Sequence, residues 1–240
     1  MSGAELKPGA RRLMFAGAPR LFIVSIVYVL LVFAISALQY RMTGAAGLYQ
    51  NYMARVAAGD PHSFSMLLSF ISPAGTTLAA LIWLPGRVLR AEFSYYCLSA
   101  SRRGGGGRRV ISGAFFFCGK VMLIAVITTA LTVLWSMLFF FPGVAAHYRY
   151  RQSYYILLDD PKKSALQCIA ESKLLMAGNK LDLFLIDISF LGWHFLSAAL
   201  IIITFFTLPF PLPVLAFWVA PYTGVTRAIY YDYLLEKATY

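Results

Sequence analysis

The chain has little charge and few of the residues that build catalytic or metal sites. Only 13% of its 240 residues are Asp, Glu, Lys or Arg, against about 25% in soluble domains. It contains three histidines and three cysteines, with no Ser-His-Asp, Cys-His or HExxH arrangement. The cysteines, Cys97, Cys118 and Cys168, are odd in number and too far apart for a CxxC metal site. We therefore expect free thiols, no metal or other cofactor, and no enzymatic activity.

Apolar residues are abundant instead. They make up 60% of the chain, and the mean hydropathy is +0.69. Several runs reach the roughly 18 apolar residues of a candidate membrane span, and none alternates as a barrel strand does. Backbone polar groups in hydrocarbon must be paired internally, so these runs predict helices. The predicted fold is all-α: one integral membrane domain over residues 1–240, a polytopic transmembrane bundle with spans at about 21–40, 64–84, 110–142, 181–206 and 214–235.

The net charge of +11 lies in segments that flank the spans. Basic residues beside spans follow the positive-inside rule and attract anionic headgroups, so we expect membrane lipids rather than nucleic acid as partners. The first span has no small-residue cleavage site and is expected to stay as an anchor with a cytoplasmic N-terminus. Its basic lead consists of Lys7, Arg11, Arg12 and Arg20.

The third run is too long for one crossing. Residues 110–141 would measure roughly 48 Å as a single helix, against a hydrocarbon core of about 30 Å. If the run crosses once, ten Lys and Arg residues lie on each side of the membrane. If it makes no net crossing, eighteen lie on the cytoplasmic side and two on the outer side. The positive-inside rule favours the second arrangement, and a re-entrant or half-membrane hairpin reconciles it with the length. Prolines at 73, 142 and 221 also predict broken helices.

The segment after this run predicts an amphipathic helix over 161–177. Asp159-Asp160-Pro161 is a helix-start pattern, and Gly178-Asn179 is a left-handed stop. The helix either docks on the membrane surface or a partner, or packs on its own bundle, which we favour. Its apolar face would consist of Ala165, Cys168, Ile169, Ser172, Leu175 and Met176.

The stretch from Pro142 to Trp193 resembles the bacterial family catalogued as "domain of unknown function 975". The resemblance covers about residues 110–235 and departs from the family pattern at Tyr150-Arg151 and at the proline-rich 209–213. It implies a small multi-pass protein of the bacterial cytoplasmic membrane and carries no activity. A looser similarity to membrane domains attached to some glycerophosphodiester phosphodiesterases hints at lipid headgroups. The main motif positions are Pro142, Gly143, Tyr150, Asp159, Pro161, Gly178, Asn179 and Trp193.

Three ionisable residues within the apolar runs are candidate site residues. Asp187 and His194 are seven residues apart and so share a helix face. Because buried charge is costly in lipid, this pair could bind a cation or relay a proton. Alternatively, Asp187 could reach water, Lys180 or Arg151. The third is Lys120.

Arginines near the membrane surface are candidates for contact with lipid or phosphate. The RRGGGGRR loop lacks the Gly-Lys-Ser/Thr of a Walker motif and is expected to be a flexible cytoplasmic loop. These candidates are Arg102, Arg103, Arg108, Arg109, Arg149 and Arg151.

Two functions follow from these patterns. The first is a non-enzymatic membrane protein that organises lipid or a protein partner at the cytoplasmic face through residues 144–180. The second is a channel or transporter subunit with a path near Asp187 and His194, since transport sites use broken helices. An enzymatic alternative would depend on Asp159, Asp160 and His147. The sequence leaves open whether the protein is a homo-oligomer or has a membrane-protein partner.

Overall fold

The computed structural model describes residues 3–16, 18–42, 51–52, 54–60, 73–102, 117–207 and 215–239. These residues are predominantly helical and include no strand, as the apolar runs predict. The helices are α1 (Gly3–Ala16), α2 (Ala18–Met42), α3 (Pro73–Arg102), α4 (Cys118–Leu138), α5 (Phe140–Tyr150), α6 (Ser153–Asp159), α7 (Ala165–Leu175), α8 (Lys180–Ser189), α9 (Leu191–Thr207) and α10 (Ala216–Thr239).

Within the described residues, three helical segments are long and apolar enough to cross a membrane: Arg20–Gln39, Cys118–Leu138 and Lys180–Ile201. They overlap the predicted spans 21–40, 110–142 and 181–206 and characterise the chain as a membrane protein. Part of the predicted span 64–84 lies outside the described residues. The predicted span 214–235 overlaps α10, which is not one of these three segments, and stays a prediction.

The chain divides into two compact units, residues 30–87 and residues 1–29 with 88–240. The first unit contains the end of α2 and the beginning of α3, which starts at Pro73. Proline is favoured in the first turn of a helix because its missing N–H has no intrahelical acceptor there. The second unit carries the functional candidates. The prediction of a single domain is not tested by this division and stays a prediction.

Helices α4 and α5 form an antiparallel hairpin. The chain reverses at Phe139, whose backbone is extended with φ −160° and ψ 153°. Gly143 on α5 lies so close to Ser136 on α4 that a Cβ built there would be 2.8 Å from the Ser136 Cα. Further along, Ala146 and Tyr150 of α5 form a cluster with residues of α4, Ile127 and Leu131. The turn therefore lies three residues before Pro142.

The amphipathic helix begins later than predicted, at Ala165 rather than at Pro161. Ser164 is its N-cap, and a reciprocal capping box joins Ser164 and Gln167. Residues 161–164 form the preceding turn, where the Asp160 carboxylate accepts from the Lys162 N–H at 3.1 Å. A Ser-x-x-Gln capping box satisfies two helix N–H groups at once, whereas Asp-Asp-Pro here only makes the turn.

The predicted buried face and the left-handed Gly178 are present, and the helix ends at Leu175, two residues before the predicted 177. Of its six predicted apolar-face residues, five are buried and Leu175 is half-buried. Gly178 has a φ of +78°, the left-handed conformation that the Gly-Asn pair predicts. The helix packs on α4, α5 and α6. This agrees with packing on its own bundle, the interpretation that the sequence favours for its buried face.

Helix α1 was not predicted from the sequence, although its spacing contains the signal. Leu6, Ala10 and Met14 recur every four residues and are fully buried or nearly so. Leu6 belongs to one core cluster with Ile186 of α8, Phe190 directly after α8, and Tyr230 of α10. The basic N-terminal segment, which the sequence analysis uses only to predict the membrane topology, thus also forms a packed helix.

Candidate functional site

Asp187 of α8 is the centre of a network of ion pairs. Its Oδ2 accepts from Arg151 Nη1 at 2.6 Å and from the Tyr148 hydroxyl at 3.1 Å. Its Oδ1 accepts from Arg227 Nη2 at 3.0 Å and Nε at 3.3 Å. We call Asp187, Arg151, Tyr148 and Arg227 the Asp187 cluster. It joins α8 to the end of α5 and to the middle of α10.

The Asp187 cluster contains more positive than negative charge. Its one carboxylate faces two guanidinium groups, and the exposed fraction of the side chain is 15% for Asp187 and 21% for Arg151. Burial lowers the pKa of the Arg151 guanidinium, Arg227 lowers it further, and Asp187 opposes both. Both carboxylate oxygens are therefore held by strong donors, and the carboxylate neutralises arginines rather than presenting a bare anion.

The predicted partner of Asp187, His194, is not among the side chains that hydrogen-bond to it in the described part of the chain. It is exposed on α9, beyond the break at Phe190 that separates α8 from α9. The alternative contact with Arg151 is the one that forms. The other proposed alternative, Lys180, is on the first turn of α8. A second histidine, His147, lies next to the cluster, with its Nε2 3.4 Å from Arg151 Nη1.

A second cluster lies at the end of α3. Arg102 Nη2 donates to Asp159 at 3.0 Å, and Arg102 Nε donates to Asp232 at 2.9 Å. The Tyr231 hydroxyl donates to the same Asp159 carboxylate at 2.9 Å. The hydrogen bond to Asp159 raises the pKa of Arg102. Arg102, predicted to contact lipid or phosphate, is thus tied to two carboxylates of its own chain.

The remaining arginines of that prediction differ in position. Arg149 is half-buried at the end of α5, and its backbone carbonyl accepts from Ser172 of α7 at 2.9 Å. Arg103, Arg108 and Arg109 lie outside the described residues.

Lys120, predicted as an intramembrane charge, holds the base of the hairpin to the turn before α7. Its Nζ donates to the carbonyls of Pro161 at 2.7 Å and Lys163 at 3.1 Å. In the same turn, Lys163 pairs with Glu171 at 2.7 Å. The first turn of α4 therefore lies beside the polar segment 160–164.

Four of the predicted motif positions differ in their contacts and exposure. Asn179 donates to the Leu175 carbonyl at 3.1 Å and accepts from Lys237 at 2.7 Å. Tyr150 is buried, with the Lys173 ammonium 5.8 Å from its ring centroid. Pro142 lies in the first turn of α5, where proline is tolerated. Trp193 is exposed on α9.

Two members of the Asp187 cluster, Tyr148 and Arg227, were not among the predicted site residues. Arg227 is a cation inside a predicted span, a feature that by itself suggests a partner carboxylate. Tyr148 is in the tyrosine-rich segment after Pro142. A search for charges of opposite sign in different apolar runs would have connected Arg227 with Asp187.

Comparison with known proteins gives a family and no characterised relative. No curated protein and no solved structure matches the chain. The motifs of the sequence analysis point to one family, and the match confirms it. Residues 108–238, just over half of the chain, match the family described as "Protein of unknown function (DUF975)", and the chain belongs to that family.

Proposed function

We propose that this chain is a non-enzymatic protein of the bacterial cytoplasmic membrane that organises lipid at the cytoplasmic face. In this proposal the α4–α5 hairpin enters the cytoplasmic leaflet and returns. The segment 144–180 then lies on the cytoplasmic side, together with the N-terminus.

The depth of the hairpin is the observation that carries this proposal. Its turn is at Phe139 and the Asp187 cluster lies at the end of the return arm, whereas Lys120 lies roughly 28 Å from the turn along the longer arm α4. From Tyr150 to Phe139 the return arm rises about 16 Å, since a helix rises about 1.5 Å per residue. That is about half of a 30 Å hydrocarbon core. A return arm of this length, with the Asp187 cluster at its end, supports exit on the side where α4 enters, with the buried first turns of α4 outside the hydrocarbon core.

The surface of the hairpin tip supports its insertion in lipid. Phe139, Phe140 and Phe141 are 72%, 75% and 82% exposed. Aromatic side chains of this exposure are rare on soluble surfaces and are stable against acyl chains. The other exposed apolar residues of the tip are Leu134, Trp135, Met137 and Leu138.

The segment 144–180 supports an anionic lipid partner. It contains six Lys and Arg and three Asp and Glu. Anionic headgroups at the cytoplasmic leaflet attract such a surface. Leu166 and Leu174 of α7 are 65% and 77% exposed and lie eight residues apart, about two turns along its outer side. Apolar side chains beside cations are typical of interfacial helices.

The contacts of the acidic residues support a role without catalysis. Asp159 is held by Arg102 and Tyr231, and Asp160 accepts from the turn backbone. Asp187, the main residue of the channel or transporter alternative, has both oxygens engaged by arginines. At Asp159 and Asp187 these contacts occupy lone pairs that a catalytic or cation-binding carboxylate would direct at its ligand.

Cysteine labelling tests the sidedness of the hairpin. In a variant with Cys97, Cys118 and Cys168 changed to Ala, single cysteines replace Lys162, Phe140 and Arg55. A membrane-impermeant maleimide should label Arg55→Cys in intact cells and Lys162→Cys only after permeabilisation. Phe140→Cys should react in neither preparation, because its tip position lies in hydrocarbon. Labelling of Lys162→Cys or Phe140→Cys from outside would contradict the proposal.

Native mass spectrometry of the protein purified in mild detergent tests the lipid partner. Anionic phospholipid should be retained in preference to zwitterionic phospholipid. Equal retention of both classes, or a stoichiometric protein partner without lipid, would contradict a lipid-organising role.

A further inference from the structure

Helix α1 separates a buried apolar side from a basic side. Leu6, Ala10 and Met14 are buried in the core. Lys7, Arg11 and the adjacent Arg12 lie on the other side of the helix, offset by one or two positions from the buried residues. Because the apolar side is fixed by packing, the three cations are presented on a positioned helix rather than on a loose tail.

The basic side of α1 lines a cleft against α10. The cleft has a volume of about 680 Å³ and is lined by Lys7, Pro8, Arg11, Arg12, Phe15 and Tyr222. Among the side chains that the structure describes, its lining contains three cations and two aromatic rings and no carboxylate. Sites for small ligands commonly have volumes of about 300–1,000 Å³ and combine apolar walls with a few polar groups. We call this the α1 cleft.

The α1 cleft lies next to the point where the first span begins. At its end, Phe15 is 6.0 Å from Trp218 between ring centroids, and Phe22 of the span is 5.6 Å from the same ring. The span starts at Arg20. Tryptophan and tyrosine are enriched at the membrane–water interface. A ligand in the cleft would have its charged part at the headgroup level and any apolar part directed along the span.

The cations of the α1 cleft differ from those of the other clusters. Arg102, Arg151 and Arg227 all bind carboxylates of this chain. Arg11 and Arg12 are exposed, and neither forms an ion pair with a carboxylate among the side chains that the structure describes. Lys7 is positioned by the Ser189 carbonyl at 3.4 Å and lies 5.0 Å from the Phe190 ring centroid. Two arginines and one lysine thus line the cleft.

We propose that the α1 cleft binds the phosphate of an anionic phospholipid. Arginine pairs with phosphate through two parallel hydrogen bonds, and lysine adds a point charge. The volume exceeds that of a bare phosphate, whose oxygens would contact only one wall, and accommodates a glycerophosphate with the start of its acyl chains against Phe15. The site deepens the proposed function by naming the lipid class, and in that respect depends on it.

Calorimetric titration of the full chain in zwitterionic micelles tests the site. The probes are dioctanoyl phosphatidylglycerol, dioctanoyl phosphatidylcholine and inorganic phosphate. Phosphatidylglycerol should bind at least about tenfold more tightly than the other two. In Arg11→Gln/Arg12→Gln, its affinity should fall at least about tenfold, a difference of about 1.4 kcal/mol. The charge-matched control Arg41→Gln/Arg90→Gln, at two exposed positions outside the cleft and outside residues 144–180, should bind like the unaltered protein.

Each other result overturns the assignment. Equal binding of phosphatidylglycerol and phosphatidylcholine, or equal losses in the cleft and control variants, would exclude the α1 cleft as an anionic lipid site. Inorganic phosphate binding as tightly as phosphatidylglycerol would replace the lipid by a soluble phosphate ligand. The Phe140→Cys and Lys162→Cys labelling is independent of Arg11 and Arg12. If the cleft variants bind lipid like the control and the labelling is as expected, only the α1 cleft assignment is wrong and the hairpin proposal stands. If Lys162→Cys or Phe140→Cys is labelled from outside, the hairpin proposal is wrong instead.

Discussion

The base and the tip of the α4–α5 hairpin are both rich in apolar residues, and their surroundings are opposite. At the base, Val121, Ile124 and Ala125 are completely buried, and Lys120 is hydrogen-bonded to the turn before α7. At the tip, Phe141 is 82% exposed. The same helix therefore begins as part of a protein core and ends as a surface that suits lipid. Composition alone does not distinguish these two ends, because hydrocarbon and protein interior both accept apolar side chains.

The largest expected effect separates the two ends directly. Ile124→Ala at the base should lower the unfolding free energy by about 3 kcal/mol, since it leaves a cavity in the core. Leu134→Ala on the same helix, at a position 61% exposed, should lower it by less than about 0.5 kcal/mol. Thermal unfolding in detergent measures both. Equal losses would mean that the tip is packed against protein.

The contact between the two arms depends on Gly143. A Cβ at this position would lie 2.8 Å from the Ser136 backbone, so Gly143→Ala should force the arms apart and cost about 2 kcal/mol. Gly119→Ala is the matched control in the same hairpin, because a Cβ there meets nothing within 4 Å. It should be neutral or slightly stabilising. If both variants unfold at the same temperature, the close packing of the arms is wrong.

The Asp187 cluster ties the end of the return arm to α8 and α10. Asp187→Asn keeps the shape but removes the charge that balances two arginines, and should cost about 2 kcal/mol. For a chain of this size that is a fall of roughly 4–8 °C in the unfolding midpoint. Asp182→Asn, on the same helix and half-exposed, should change the midpoint much less. A midpoint for Asp187→Asn equal to that control would show that the network adds no stability.

The smallest effect is expected at Lys120. Lys120→Met keeps the length of the side chain and loses its two hydrogen bonds to carbonyls, which should cost about 1 kcal/mol. Lys162→Met, exposed in the turn that Lys120 contacts, is the control and should be neutral. The difference between the two midpoints measures how firmly the base is held. No difference would place the Lys120 ammonium in water rather than on the turn.

Local features of the chain were predicted well where they depend on a few neighbouring residues. The left-handed Gly178 follows from a Gly-Asn pair after an amphipathic pattern, and the buried face of α7 follows from its spacing. The predicted start of α7 was wrong because two start signals lie four residues apart. The helix is capped by Ser164 with Gln167 rather than by Asp159-Asp160-Pro161. When two local signals compete, the helix begins at the one that the packing of the surrounding helices accommodates.

The partners of the charged residues were predicted poorly. Asp187 lies 36 residues from Arg151, which the sequence analysis named only as an alternative partner, and 40 from Arg227, which no spacing in the sequence connects with it. The sequence places Asp187 and His194 on one helix face, but the break at Phe190 and the packing of α8 on α10 give Asp187 other partners. Lys120, read as a charge in lipid, reaches carbonyls 41 and 43 residues away.

The sequence by itself determined the class of protein, its family and the excess of positive charge beside the spans. Those properties depend on composition, run length and local motifs, which need no knowledge of distant contacts. Only the tertiary structure decided that α4 turns back at Phe139, that arginines surround Asp187, and that α1 forms a basic cleft against α10. These depend on which apolar faces pack together, and the packing of one helix on another brings together charges that are tens of residues apart in the chain.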